Sequence, residues 1–208
     1  MQSPIKIAVL ASGRGTNLEA LMQAQKTGEL GGEIVLVVSD NPKAQALQRA
    51  IHHGIPTQVI EPAGYETRED FDRALVETLR AYKVELVVLA GYMRLLSAVV
   101  LQAFPQRVIN IHPSLLPSFP GLNAHQQAWQ YGVKYTGCTV HFVDEGMDTG
   151  PIIAQRVVAV DPKDTAADLA AKILKEEHRL YPQVVRWLAE GRVVIQGRRV
   201  FIKESDGC

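Results

Sequence analysis

Two cysteines in 208 residues leave little sulfur chemistry open. Cys138 and Cys208 are far apart and belong to no CxxC or Cys/His spacing, so neither a disulfide framework nor a zinc site is suggested, and a reducing cytoplasm is expected. Charge of one sign is equally scarce. Lys and Arg number 22 against 22 Asp and Glu, with no run of like charge, so the footprint of a nucleic-acid or membrane-surface binder is missing and small-molecule partners are expected. Long apolar runs are lacking as well: the N-terminal "MQSPIKIAVLASG" has no A-x-A cleavage pattern and enters a glycine turn too early to span a bilayer. Repeats, low-complexity tracts and linkers do not occur either. With 47% hydrophobic and 21% charged residues, the chain has the composition for one sizeable core, and a single domain over 1–203 with a loose tail over 204–208 is expected.

Short, β-branched, almost continuously apolar stretches are present at 5–11, 33–39, 84–90 and 107–112, the pattern of strands covered on both faces of a parallel sheet. Helical patterns lie between them: "NLEALMQAQ", then "AQALQRAIHHG" with Gly54 as its stop, then "TREDFDRALVETLRAY" with Thr67 and Asp70 at capping-box spacing. "TQVI" (57–60) adds a short strand. Such alternation predicts βαβ units in an α/β fold. Beyond residue 113 come a proline-rich loop, a short helix near "AHQQAWQYG", and "GCTVHFV" and "PIIAQRVVAV" as strands with antiparallel pairing. A long helix from Thr165 to Glu190, bent or broken near Pro182, then precedes the hairpin-like "RVVIQGRRVFI".

Glycines and polar residues gather where these strands end. In "ASGRGTNLEAL", Gly13 and Gly15 precede Thr16 and Asn17 between a strand and a helix. Glycines admit a phosphate close to the backbone, and helix N-terminal amides with Thr and Asn side chains donate to its oxygens. No GK[ST] follows, and Leu18 stands where a dinucleotide fingerprint has its third glycine, which leaves a monophosphate site or a tight turn that binds nothing. In "RVINIHPSLLPSFPG", Asn110 and His112 are two apart, so a strand aims both one way, and Pro113 ends that strand. An amide donor beside an imidazole is equipment for stabilising an oxyanion and moving a proton; hydrogen-bonded core residues are the alternative.

"HFVDEGMDTGPII" carries Asp144 and Asp148 among glycines, as a plain turn or as the source of a carboxylate. Folded onto His112, Asp148 would favour the imidazolium and raise its pKa. His141, on the adjoining strand, reads as a core or supporting residue. "LAGYMRLLS" places Tyr92, Met93, Leu95 and Leu96 either as walls of a slot for a flat ring or as core before a helix opened by Ser97. Arg68 is either an anchor for an anionic ligand tail or a solvated first-turn residue, and "KEEHRLYP" taken alone is a solvated helical face.

Taken in order along nearly the whole chain, "SGRGTNL", "LAGYMRLL", "NIHPSLLPSFPG", "GCTVHFVDEGMDTGPII" and "EEHRLYP" resemble the phosphoribosylglycinamide formyltransferase family, folate-dependent enzymes of purine synthesis. The resemblance implies a Rossmann-like, doubly wound, mostly parallel sheet with an antiparallel C-terminal extension. Its N-terminal half would bind phosphate and its C-terminal half complete a folate site. It implies transfer of a formyl group from 10-formyltetrahydrofolate, a cosubstrate, to the amine of glycinamide ribonucleotide, with no metal. By that resemblance Gly15, Thr16 and Asn17 bind the ribose phosphate and Glu177 the sugar hydroxyls. Met93, Arg94, Leu95 and Leu96 take the pterin through backbone contacts, with Asp144 and Asp148 opposite, and Arg68 lies near the folate's glutamate tail. Asn110 and His112 stabilise the oxyanion, His112 donates the proton, and Asp148 orients and charges His112. Asn123 stands where His is often found and receives no role; Pro117 is expected to be cis. Implied partners are the two small molecules, with no nucleic acid and no membrane, in a monomer or homodimer. Methionyl-tRNA formyltransferase and formyltetrahydrofolate hydrolase normally carry further domains that a chain of this length does not accommodate. A non-catalytic sensor would need no Asn110, His112 and Asp148 set.

Overall fold

The computed structural model describes residues 3–204. The chain first alternates β1 (Ile5–Leu10), α1 (Thr16–Lys26), β2 (Gly32–Ser39), α2 (Gln45–His52), β3 (Thr57–Val59), α3 (Arg68–Ala81), β4 (Leu86–Leu89), α4 (Ala98–Ala103) and β5 (Val108–His112). Its character then changes to α5 (Ala124–Tyr131), β6 (Tyr135–Phe142), β7 (Ile152–Ala159), α6 (Ala166–Ala189) and a hairpin of β8 (Val193–Gln196) and β9 (Arg199–Ile202). Residues 205–208 of the expected tail, Cys208 among them, lie outside the described residues.

Seven of the described strands form one sheet in the order β3-β2-β1-β4-β5-β6-β7. Pairing is parallel from β3 through β5 and antiparallel between β5, β6 and β7, so the mixed sheet implied by the change of pattern after residue 113 is what forms. The period of two in the strands decides which helices cover which face. Ile7 and Val9 of β1, with Leu86 and Val88 of β4, point into a core shared with α1, α2 and α6. Ala8, Leu10, Val87 and Leu89 point into a second core under α3 and α4. Strand order reverses between β1 and β4, the place where open α/β sheets part at their carboxyl ends to leave a crevice.

Three expectations need correction. β4 is shorter than the apolar run 84–90, because Val84 lies in the turn after α3 and bonds back to Leu79. At the start of α3 the Thr67 hydroxyl accepts from the Asp70 amide at 3.1 Å but closes on the Asp70 carboxylate at 2.7 Å. The reciprocal capping box forms instead at Thr165 and Asp168, at the start of α6. Pro182 does not break α6, which runs 24 residues without interruption. Leu180, Tyr181, Val184 and Val185 around it are fully buried, and the Tyr181 hydroxyl donates to the carbonyls of Leu89 (2.8 Å) and Ile109 (3.2 Å), so tertiary packing outweighs the lost helical bond. Gly54 does follow the end of α2 at φ +70, and the Leu116–Pro117 bond is cis. Among the described residues no helix is long and apolar enough to cross a membrane.

Candidate active site

A cavity of about 780 Å³ opens at the crevice, walled by the segments that leave β1, β4, β5 and β6 and floored on one side by α6. All the residues singled out from the sequence line it except Arg68, which pairs with Glu69 at 3.7 Å on the outside of α3. A second depression of about 600 Å³ between β3, the turn over 61–65 and the middle of α3 gathers none of them.

The glycine loop is built from behind by α2. Ala46 donates its amide to the Gly13 carbonyl (3.1 Å) and Arg49 its Nε to the Arg14 carbonyl (2.9 Å), while Glu19 holds the Arg49 guanidinium at 3.2 Å. Gly15 caps α1 at φ +72, and a β-carbon there would lie 2.8 Å from Ala46, so both conformation and space require glycine. The first intrahelical bond of α1 runs from the Glu19 amide to the Gly15 carbonyl; the preceding amides of Thr16, Asn17 and Leu18 are those a helix leaves free for an anion. Asn17 is buried and donates to Glu177 Oε2 at 2.8 Å, while its own Oδ1 is buried without a protein partner. Burial pushes the Glu177 carboxyl above its ordinary range, an effect that Asn17 only partly offsets.

After β4 the chain turns at Gly91 (φ +74), and the Met93 amide donates to Ser12 Oγ at 2.9 Å, which ties this wall to the glycine loop. Tyr92 and Leu96 belong to the core, whereas Met93 and Leu95 stand exposed at the cavity. The core alternative thus holds for Tyr92 and Leu96 and not for Met93 and Leu95. The Arg94 guanidinium lies 4.8 Å from the centre of the Phe71 ring.

Asn110 and His112 sit on the same side of β5, opposite His141 and Thr139 of β6. His112 is buried, with Nε2 2.8 Å from the Phe119 carbonyl and Nδ1 3.3 Å from Asp148 Oδ2. Burial lowers the His112 pKa, and although the Phe119 carbonyl and the Asp148 carboxylate pull it upward, as expected of Asp148, they do not recover it. A carbonyl can only accept, so in the neutral ring the proton stays on Nε2 and the second proton is the one Asp148 would hold. Asp148 itself adopts φ +56 and accepts from the Gly121 amide at 2.8 Å. Burial opposes its ionisation, but His141, the Gly121 amide and His112 together keep its carboxyl below the ordinary range. Asp144 instead braces its own loop, accepting from Thr149 Oγ1 (2.6 Å) and the Gly146 amide (3.2 Å).

Sequence left His141 as a core or supporting residue on the adjoining strand and did not find Phe119. His141 Nδ1 is 2.8 Å from the Phe142 carbonyl, and its Nε2 lies between the Asn110 Nδ2 at 3.3 Å and the Asp148 Oδ1 at 3.7 Å, so one ring braces both the amide and the carboxylate. The signal lay in the i, i+2 alternation of Thr139 and His141, but only the antiparallel register makes Asn110 its partner. Phe119 acts through its backbone, which no side-chain pattern announces. Cys138, within β6, is a buried thiol pushed up to about 12, chiefly by burial, and is no nucleophile. Among the described residues no three His, Cys, Asp or Glu are grouped to hold a metal ion.

Residues 5–185 match the family described as formyl transferase. The chain belongs to the formyl transferase family. Among curated proteins, this formyltransferase is 48% identical over 183 residues to the phosphoribosylglycinamide formyltransferase of Bacillus subtilis, covering 88% of this chain and 94% of that one. It is 46% identical over 191 residues to the trifunctional purine biosynthetic protein adenosine-3 of Gallus gallus, covering 92% of this chain but 19% of that much longer protein. Among solved structures, glycinamide ribonucleotide transformylase 1 from Symbiobacterium toebii superimposes with a TM-score of 0.95 at 53% identity, covering 97% of this chain and 95% of that one. The match to the family ends before the β8–β9 hairpin of this formyltransferase.

Proposed function

We propose that the protein is a phosphoribosylglycinamide formyltransferase: it moves the formyl group of 10-formyltetrahydrofolate to the amine of 5'-phosphoribosylglycinamide, giving the N-formyl product and tetrahydrofolate in de novo purine biosynthesis. The observation that carries this reading is the convergence, in one cavity, of an amide donor, an imidazole and a carboxylate with a glycine-loop anion site. The loop amides and Thr16 take the phosphate, and the Asn17–Glu177 pair takes the sugar hydroxyls, one of which satisfies the buried Asn17 Oδ1. Met93 to Leu96 and the 144–148 loop enclose the pterin, and Arg68 serves the glutamate tail from the outer surface.

The folate supplies an activated formyl carbon. The unprotonated glycyl amine attacks it, and negative charge develops on the formyl oxygen as the centre becomes tetrahedral. Asn110, its amide braced by His141, donates to that oxygen. His112, with Asp148 at its Nδ1, takes the second donor position when its Nε2–H turns from the Phe119 carbonyl to the oxyanion, and the proton that the attacking nitrogen sheds passes by way of the ring or a water to the departing nitrogen, so the ring ends as it began. The oxyanion itself raises the proton affinity of His112, which burial lowers in the free enzyme. To test this, purified protein is incubated with 10-formyltetrahydrofolate with and without glycinamide ribonucleotide, following formyl loss from one and its arrival on the other. Transfer only with the acceptor is the expected result. Formyl loss without acceptor would make the protein a hydrolase, and binding without turnover a sensor.

A further inference from the structure

The β8–β9 hairpin lies outside the family match and supplies no wall to the cavity, yet one of its side chains reaches the loop that carries Asp148. Register pairs Val193 with Ile202 and Ile195 with Val200, so all four share one face of the hairpin, and that face packs on the core cluster of α1, α2 and α6. Its base is closed by Lys203 N–H to the Arg192 carbonyl (2.9 Å) and Arg192 Nε to the Lys203 carbonyl (2.8 Å). Anchored along one face and at its open end, the hairpin projects a two-residue turn of Gly197 (φ +61) and Arg198. From that turn Arg198 donates to the Thr149 carbonyl at 2.8 Å.

Thr149 follows Asp148, whose positive φ is a conformation a non-glycine residue keeps only when its neighbours hold it. On one side the Gly121 amide holds the Asp148 carboxylate; on the other, Arg198 holds the next carbonyl. We propose that the C-terminal hairpin is a strut for the catalytic loop and that Arg198 is a positioning residue, acting through Thr149 to keep Asp148 presented to His112. This rests on the role given to Asp148 above.

The test compares Arg198→Ala, Arg198→Lys and, as a control, Arg199→Ala at the neighbouring exposed position. Two quantities are read: formyl-transfer kinetics, and hydrogen exchange of the Gly121 amide, whose protection reports the Asp148 carboxylate in place. Exchange at Val87 and Val88 in β4 checks that the sheet is intact. For Arg198→Ala, Gly121 exchange rises about tenfold and kcat falls about tenfold, while KM for glycinamide ribonucleotide stays within about twofold, because a displaced orienting group costs turnover rather than acceptor binding. Arg198→Lys recovers part of both, and Arg199→Ala changes neither. Unchanged Gly121 exchange in Arg198→Ala overturns the strut whatever kcat does, and so does loosened exchange with wild-type kcat. If the parent protein transfers no formyl group, the functional reading fails by itself and Gly121 exchange decides the strut.

Discussion

At His112, burial and two acceptors pull in opposite directions, and the outcome can be measured. Its pKa in the free enzyme lies below the ordinary 6.5, and Asp148→Asn, by removing an upward pull, lowers it further; NMR titration of the ring checks both. His112→Ala reduces kcat by roughly 10²–10⁴, and Asn110→Ala by roughly 10²–10³, in steady-state assays of proteins that fold normally. Glu177 gives a prediction of opposite flavour. Its ionised form is disfavoured by burial, so Glu177→Gln, which can still accept from Asn17 and offers a donor as well, raises stability and Tm at neutral pH. The same change raises KM for glycinamide ribonucleotide, because a sugar hydroxyl loses a charged acceptor. Thermal melts and kinetics on one preparation show whether the two effects come together.

Among the elements, α1 and α6 share this division between binding and stability. Gly15→Ala forces a side chain onto an αL residue 2.8 Å from Ala46, so the glycine loop must shift and KM for the phosphorylated acceptor rises about tenfold or more. Thr165→Ala removes the capping box of α6 at the far end from Glu177, costs about 1 kcal/mol in denaturant unfolding, and leaves both KM values unchanged. The strands and most helices were legible in the sequence, since near-continuous apolar runs announce strands covered on both faces; which helices cover which face appears only in the fold. The continuity of α6 was not, because Pro182 is tolerated through Tyr181, whose hydroxyl partners lie in β4 and β5. For Arg68 the sequence left two readings, an anchor for an anionic tail or a solvated first-turn residue, and the first turn of α3 carries it to the outer surface beside Glu69. The sign of the His112 shift was hidden for a related reason, since a sequence names the charged neighbour but not the depth of burial.

For the whole molecule, the same titrating groups tie stability to acidity. His112 and His178 both have pKa values lowered by burial. Between those values and 6.5 the unfolded chain takes up protons that the folded chain does not, so unfolding free energy declines as pH falls through that interval. Asp148 adds a further loss at lower pH, through its own depressed value, while Glu177, with a raised value, contributes a decline in the other direction as pH rises above 4.5. Denaturant titrations at about pH 5.5 and about pH 7.5 separate the two: His178→Asn raises stability at the acid value relative to the neutral one, and Glu177→Gln does the reverse. The hydrogen bond between Asn17 and Glu177 spans 160 positions of the chain and sets an order of events during synthesis. This wall of the cavity cannot close until α6 has left the ribosome and docked, so with the acceptor role proposed for Glu177 a nascent chain that already has its sheet through β5 still lacks half of that subsite, and ligand capture follows folding rather than guiding its start.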